Sequence, residues 1–231
     1  KAGTIRHFAA TDRVSGWLGA WTNGSWQGQG YMPLGRVAVL GWDCQVNGRP
    51  LNRDSKSLEE LVWPWASSRR YDDCTDMTLL ARGRRILSLG IAQVGGGGAL
   101  SSSPRVEFQV RWSQDWLGRR WTRGPHPAVR RCCTGLIGSM PHPEGLQAAT
   151  VRTSHKGWEW LHICFGTTRA ELGANISAAL DPAWAEAEFS RRMADLEKAD
   201  FSSVKPDWST ALWWARQSAL GMVTEEYGPG I

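Results

Sequence analysis

The segment "GWEWLHICFGTTRAELGANISAAL", residues 157–180, changes its hydrophobic period near its middle. In residues 157–165 the apolar and aromatic side chains occupy both sets of alternating positions, which predicts a strand at least partly buried on both faces. Thr168 and Glu171 then form the pattern of a capping box, in which side chains satisfy the free backbone donors of a helix start. The sequence therefore predicts a β region that ends here and a helix that runs to about Leu180.

The part of the chain before this segment has the pattern of an all-β domain. Its first ~165 residues contain short runs of β-forming residues, separated by clusters of Gly, Pro, Asn and Ser. Four runs predict strands: "RVAVLGW" (36–42), "RRILSLGIAQV" (84–94), "RVEFQVRW" (105–112) and "LQAATVR" (146–152). The dipeptide Asn47-Gly48 favours a tight hairpin. The glycine run 95–98 lacks the Lys-Ser/Thr of a phosphate loop and is predicted to be an inter-strand loop.

The part after this segment is predicted to be helical. Asp181-Pro182 supplies an N-cap and a proline at the first helical position. The helix that follows carries apolar residues at i, i+4 and i+7 spacing: Phe189, Met193 and Leu196. A last, tryptophan-rich helix is predicted over about 207–226, with Gly228 as its stop. Three helices are too few to bury such wide stripes among themselves, so their apolar faces require the β region or a further part of the protein.

Composition is that of an ordinary soluble globular protein. The 231 residues are 42% hydrophobic and 21% charged, and no run approaches the ~18 apolar residues of a membrane-spanning helix. The net charge is +5, but the basic residues are scattered, without a long basic run, a zinc-finger spacing or an RNA-binding signature. These features predict neither a membrane nor a nucleic-acid partner.

The cysteines indicate a reducing environment. They are odd in number and include no C-x-x-C pair: Cys44, Cys74, Cys132, Cys133 and Cys164. Such a set predicts neither a zinc site nor a full disulfide framework. We expect buried free thiols, a cytoplasmic protein and no metal or cofactor. A Cys44–Cys74 disulfide is the alternative that the sequence leaves open.

No catalytic constellation stands out. The histidines are dispersed, without an H-E-x-x-H motif: His7, His126, His142, His155 and His162. No G-x-S-x-G elbow is present. The stretch "YDDCTD" (71–76) either binds a cation or sugar hydroxyls or is simply a solvated loop, and the solvated loop is favoured. Glu225 and Glu226, late in the last predicted helix, are a non-specific signal for the carboxylate pair of a glycoside hydrolase. We assign no catalytic residue and no metal ligand to this chain.

Tryptophan is the compositional outlier, with 15 residues against three Tyr and five Phe. Its flat apolar face suits a β-sandwich core and also a platform that stacks on the C–H face of a sugar ring. Several aromatic residues fall in or beside loops rich in Gly and Pro, where they cannot all be core. The candidate substrate-binding residues are Trp21, Trp26, Tyr31, Trp63 and Trp65.

The order of these parts resembles the N-terminal half of glycoside hydrolases that join a β-supersandwich to a catalytic α/α-toroid. Amylo-α-1,6-glucosidases of the glycogen-debranching type, bacterial glucoamylases and trehalase-like enzymes share this plan. The most specific likeness is "ALWWARQSALGMVTEEYGPGI" (211–231), which is similar to a first toroid helix of W-A-x-x-x-L type followed by a G-x-G-I turn. "HICFGTTRAELGANISAAL" (162–180) resembles the last sandwich strand and its capped helix, and "TNGSWQGQGY" (22–31) is a fainter likeness.

The resemblance implies three regions: a β-sandwich (supersandwich) over 1–166, linker helices over 167–205, and the truncated start of an α/α-toroid over 206–231. It implies the non-catalytic portion of a glycoside hydrolase acting on α-glucosides, with the catalytic carboxylates outside this chain. The expected partners are a carbohydrate and the downstream catalytic domain of the same protein. Two alternatives stay open: a stand-alone carbohydrate-binding module, and a structural β-sandwich whose tryptophans are only core.

Overall fold

The computed structural model describes the chain in segments, and the statements below concern those segments. Backbone and side chains are described for 38–51, 57–93, 105–112, 147–195 and 205, and for the pairs 208–209, 211–212 and 215–216. The backbone alone is described for 7–11, 17–21, 30–32, 138–141, 196–197, 223–224 and 228–229.

The first sheet has six antiparallel strands. Five follow the order β1-β2-β3-β4-β10, and β5 pairs with β4. The strands are β1 (His7–Thr11), β2 (Trp17–Trp21), β3 (Gly30–Met32), β4 (Val39–Val46), β5 (Arg49–Pro50) and β10 (Val106–Trp112).

The second sheet has seven antiparallel strands in the order β11-β12-β13-β9-β8-β7-β6. They are β6 (Glu59–Trp63), β7 (Ala66–Arg70), β8 (Cys74–Leu80), β9 (Ile86–Gln93), β11 (Gly138–Pro141), β12 (Gln147–His155) and β13 (Trp158–Gly166). The four predicted strand runs are confirmed as β4, β9, β10 and β12, with shifted ends. The run 157–165 is confirmed as β13, which lies at the centre of this sheet.

Two tight turns fix the register of hairpins. Asn47 and Gly48, between β4 and β5, have φ values of 52° and 81°. Lys156 and Gly157, between β12 and β13, have φ values of 47° and 81°. Two successive positive φ angles define the hairpin turn whose twist matches that of its strands. The hairpin predicted at Asn47-Gly48 is therefore confirmed.

The two sheets pack face to face around an apolar core, so the fold is a β-sandwich. Trp42 and Trp112 from the first sheet meet Leu89, Ile163 and Phe165 from the second. Trp112 contacts Phe165 edge-on, with ring centroids 6.1 Å apart. The alternation predicted for residues 105–112 is confirmed in β10, where Phe108, Val110 and Trp112 pack on this core while Gln109 and Arg111 are exposed.

Two helices cover the outer face of the seven-stranded sheet: α1 (Arg169–Ala179) and α2 (Trp184–Glu197). The capping box is confirmed, because the Thr168 hydroxyl accepts a hydrogen bond from the Glu171 N–H at 3.1 Å. The Glu171 carboxylate reaches back to accept from the Thr167 N–H at 2.8 Å. Before α2, the Asp181 side chain accepts from the Ala183 N–H at 3.0 Å, as expected of a helix cap.

The end of the chain differs from its prediction. Helical backbone is found at 208–209, 211–212 and 215–216, but the predicted helix does not reach 226. Val223–Thr224 forms strand β14, which pairs antiparallel with β15 (Gly228–Pro229). Gly228 therefore belongs to a short ladder and is not a helix stop. The β-branched side chains of Val223 and Thr224 favour a strand. The prediction of a helix relied on hydrophobic periodicity, which does not take this preference into account.

The described residues contain no helix that has both the length and the apolar character needed to cross a membrane. The thiols of Cys44, Cys74 and Cys164 are free and buried, so the predicted buried thiols are confirmed at these positions and no Cys44–Cys74 disulfide forms. Burial raises the pKa of Cys44 and Cys164. Cys132 and Cys133 lie outside the described residues.

Candidate functional site

Three aromatic rings line up along the outer face of β13. Trp158 stacks on Trp160, with centroids 5.1 Å apart and planes inclined by 22°. Trp160 in turn stacks on His162, at 6.0 Å and 12°. The side-chain period of two in a strand places these three residues on one face. They form a row that we call the ring row of β13.

The ring of Trp160 packs against a glycine of the neighbouring strand. Trp160 pairs with Gly90 of β9, and a Cβ atom at Gly90 would come within 2.5 Å of the Trp160 ring. Only a residue without a side chain leaves room for an indole at this position. Gly90 therefore determines how closely the ring row packs on β9.

Helix α2 forms the opposite wall and leaves a cleft. Phe189 of α2 contacts Trp63 edge-on, with centroids 5.0 Å apart, and Trp184 contacts the edge of His162 at 5.5 Å. Between α2 and the ring row lies a cavity of about 340 Å³. Its lining is mostly apolar: Met77, Trp158, Trp160, Ala185 and Phe189, with His155, Lys156 and Glu186 as the polar members.

The three polar residues form the rim of this cleft. The Glu186 carboxylate accepts hydrogen bonds from Lys156 Nζ at 2.9 Å and 3.1 Å, one for each oxygen. His155 Nε2 lies 3.3 Å from Glu186 Oε2. The hydrogen bond from Lys156 lowers the pKa of Glu186, so this carboxylate is ionised at neutral pH. Glu186 and Lys156 both remain more than half exposed, at 52% and 66% of their side chains.

His162, at the inner end of the ring row, is a satisfied core residue. Its Nδ1 lies 2.8 Å from the Ser88 hydroxyl, and its Nε2 lies 2.9 Å from the Thr153 hydroxyl. Burial lowers its pKa to about 3, so the ring is neutral at physiological pH. Ser88 is fully buried, so this Ser–His contact presents no nucleophile to a ligand. His162 therefore has a structural role within the sheet.

Of the five predicted binding residues, one is buried, one is half-buried, and the side chains of the other three lie outside the described residues. Trp65 is 1% exposed, and the Arg192 guanidinium lies over its ring, 4.6 Å from the centroid. Its ring is therefore packed inside the sheet–helix layer and is not offered to a ligand. Trp63 is half-buried beside the cleft. The side chains of Trp21 and Tyr31, and all of Trp26, lie outside the described residues, so their binding role stays a prediction.

The acidic stretch 71–76 is not a single solvated loop. Asp72 and Asp73 are exposed in the turn before β8, but Asp76 is 4% exposed between the sheets. Its carboxylate accepts hydrogen bonds from the Arg69 N–H at 3.0 Å and from Arg69 Nε at 3.1 Å. Asp76 is therefore part of a buried ion pair. Among the described residues, no three His, Cys, Asp or Glu side chains converge on a metal site.

Sequence reasoning did not identify the residues that line the cleft. The strand alternation accounts for Trp158 and Trp160, and the helix stripe accounts for Phe189, so neither pattern marks these residues as members of a site. The fragment "WEW" carries one further signal, because it places two tryptophans on one strand face directly after the turn residues Lys156 and Gly157.

Comparisons of the chain with models of protein families, with curated proteins and with solved structures gave no match.

Proposed function

We propose that this chain is the carbohydrate-binding, non-catalytic β-sandwich portion of a glycoside hydrolase that acts on α-glucosides. The observation that carries the proposal is the cleft between the ring row of β13 and α2. It combines the half-buried indole of Trp158, which stacks on the 5% exposed Trp160, with a charged, solvent-facing rim. Sugars present both an apolar C–H face and hydroxyl groups, and they require this combination of surfaces.

The chemistry of the lining favours an uncharged, amphipathic ligand. Flat aromatic rings contribute large contact areas with little loss of side-chain entropy. A volume of about 340 Å³ is at the small end of ligand pockets, which suits one or two sugar units. Lys156 and Glu186 neutralise each other, so the rim carries no net charge that would draw a ligand of one sign.

The cleft is suited to binding and not to hydrolysis. Among the described residues, Glu186 is the only carboxylate in its lining, whereas glycoside hydrolysis requires two carboxyl groups on opposite sides of the scissile bond. A catalytic role within this cleft would therefore lack one of its two groups. The proposal accordingly places the chemistry in another part of the protein.

The hydrolase part of the proposal is supported by the order of elements. An antiparallel sandwich is followed by a capped helix after its last central strand and then by a second helix on the same sheet face. This is the plan on which the resemblance to toroid-containing glycoside hydrolases rests. The test is the activity of the complete protein on α-glucosides. A complete protein without activity on any α-glucoside would remove this part.

A second candidate is a carbohydrate-binding module with no attached catalysis. One observation favours it: the apolar residues of α1 and α2 pack on the chain's own sheet, so these helices need no other partner. Leu172 and Ile176 of α1 contact Ile86 and Val151. The activity assay on the complete protein separates the two candidates, since both predict binding in the cleft.

Carbohydrate binding is tested by titration with maltotriose and maltoheptaose, followed by tryptophan fluorescence and calorimetry. We expect Trp158→Ala to weaken binding at least tenfold, because a stacked ring contributes on the order of 1–3 kcal/mol. The matched control is Trp208→Ala, which removes a 65% exposed tryptophan outside the cleft and should leave affinity unchanged. Equal affinity of the wild type and Trp158→Ala would overturn binding at this cleft.

A further inference from the structure

We infer that the Glu186–Lys156 pair forms hydrogen bonds with two adjacent free hydroxyls of a sugar, so that the cleft selects ligands with a free vicinal diol over ligands whose hydroxyls are methylated. This inference rests on the proposed function and specifies its ligand. It starts from the position of the pair: both side chains line the same cavity as Trp158 and Trp160. A sugar ring stacked on an indole extends its hydroxyls sideways, toward such a rim.

The hydrogen-bonding capacity of the pair is only partly used. An ionised carboxylate has about four lone-pair sites and an ammonium group has three N–H donors. Lys156 Nζ contacts both oxygens of Glu186, and His155 Nε2 contacts one of them. This leaves acceptor sites on Glu186 and donors on Lys156, and both groups are exposed to solvent on the cleft side.

A vicinal diol matches this arrangement. One hydroxyl donates to the Glu186 carboxylate while its neighbour accepts from the Lys156 ammonium. These two hydrogen bonds replace water molecules that would otherwise solvate the charged groups. Hydrogen bonds to charged groups are stronger than those between neutral groups. A methylated hydroxyl can no longer donate, and the site's carboxylate would then be left without that partner.

The experiment compares two probes by calorimetry at one ionic strength: maltotriose and permethylated maltotriose. Wild-type protein should bind maltotriose at least tenfold tighter than permethylated maltotriose. Glu186→Gln and Lys156→Gln should each weaken the binding of maltotriose about tenfold and narrow its advantage over the permethylated sugar. The matched control is Glu107→Gln, which removes a carboxylate from an exposed ion pair with Arg105 on the other sheet.

The outcomes separate the two proposals. If maltotriose binds and Trp158→Ala weakens it, but permethylated maltotriose binds equally well and Glu186→Gln has no effect, the diol inference is overturned and the proposed function stands. If wild-type protein binds no maltotriose and no maltoheptaose, both are overturned. If Glu186→Gln and Glu107→Gln weaken binding equally, the effect is a general one of charge and the inference is also overturned.

Discussion

Helices α1 and α2 lie on the same sheet face but are seated in opposite ways. Under α1 the sheet presents aliphatic side chains, among them Ile86, Ala149 and Val151, and the start of the helix meets β13 closely at Gly166. Under α2 the sheet presents Trp160 and Trp158, flanked by Trp63, and the helix rests on rings. Aliphatic side chains and a glycine permit a close contact, whereas rings hold the second helix away from the strands.

The comparison shows how a cavity arises from well-packed parts. Protein interiors are close-packed, so side chains normally fill the space between two layers. A helix held off by large flat rings leaves room between those rings wherever no side chain fills it. The cleft is thus a consequence of the aromatic residues under α2.

The largest predicted effect concerns the packing of α1 on the sheet. A Cβ atom at Gly166 would lie 2.5 Å from the Leu172 backbone N and 2.8 Å from its Cα. Because backbone atoms cannot swing aside, Gly166→Ala should force α1 outward and lower the free energy of unfolding by about 3 kcal/mol. Urea unfolding measures this change.

The control for that variant lies in the same helix. Gly173→Ala places a Cβ in open space, with no heavy atom within 4 Å, and alanine is the better helix former. It should raise the free energy of unfolding by about 0.5–1 kcal/mol. A similar loss in both variants would show that α1 is not seated as closely as described.

The second prediction concerns protonation beneath α2. Burial lowers the pKa of His162 to about 3, while a histidine in the unfolded chain titrates near ~6.5. The unfolded state therefore binds more protons between these two values. The stabilisation from a neutral His162 is complete above pH ~6.5 and falls by about 1.4 kcal/mol per pH unit as the pH drops toward 3.

The measurement compares the slope of the unfolding free energy between pH 7 and 4.5 in three proteins. His162→Gln should flatten the slope, because it removes the group that must stay neutral. His155→Gln, which replaces a partly exposed histidine on the cleft rim, should keep the steep slope of the wild type. Identical slopes in the wild type and His162→Gln would contradict the prediction.

The third prediction concerns the floor of the cleft. In Gly90→Ala the new Cβ would lie 2.5 Å from the Trp160 ring. Because Trp160 is stacked between Trp158 and His162, its ring cannot turn away freely, and we expect a loss of about 2 kcal/mol. Thermal unfolding measures the loss. The double variant Gly90→Ala/Trp160→Val should recover part of it, and no recovery would show that the strain lies in the strand itself.

The fourth and smallest prediction concerns the polar contact that anchors α2. Glu188 is 8% exposed and accepts a hydrogen bond from the Arg82 N–H at 3.0 Å. Glu188→Ala leaves that buried donor without its acceptor and should cost about 1–2 kcal/mol. Glu186→Gln, which changes an exposed carboxylate of the same helix, should cost only a few tenths. Equal losses of unfolding free energy in the two variants would mean that the hydrogen bond accepted by Glu188 does not anchor α2.

Local sequence signals predicted much of the fold. The capping box at Thr168 and the turn at Asn47-Gly48 depend on residues that are neighbours in the chain, and both are confirmed. The strands likewise follow from their own hydrophobic pattern. These features could be predicted because the physical forces that produce them act over a few residues.

The cleft could not be predicted in this way. Its floor depends on Gly90 of β9 facing Trp160 of β13, and its wall depends on Phe189 of α2 facing β13. These three residues are distant in sequence. The buried Asp76 is a similar case, since its acidic stretch resembles a solvated turn until Arg69 is placed opposite. Secondary-structure propensity predicts the conformation of each segment, but it does not predict which other segment will pack against it.

The contact between Arg82 and Glu188 also has a kinetic consequence. It joins residues 106 positions apart in sequence, and distant contacts form only after the intervening chain has been ordered. The hairpins of the sheet are local and can form first. We therefore expect α2 to dock last during folding and to detach first during partial unfolding, with amide exchange faster in α2 than in β9 and β13. The cleft would then exist only in the fully assembled fold.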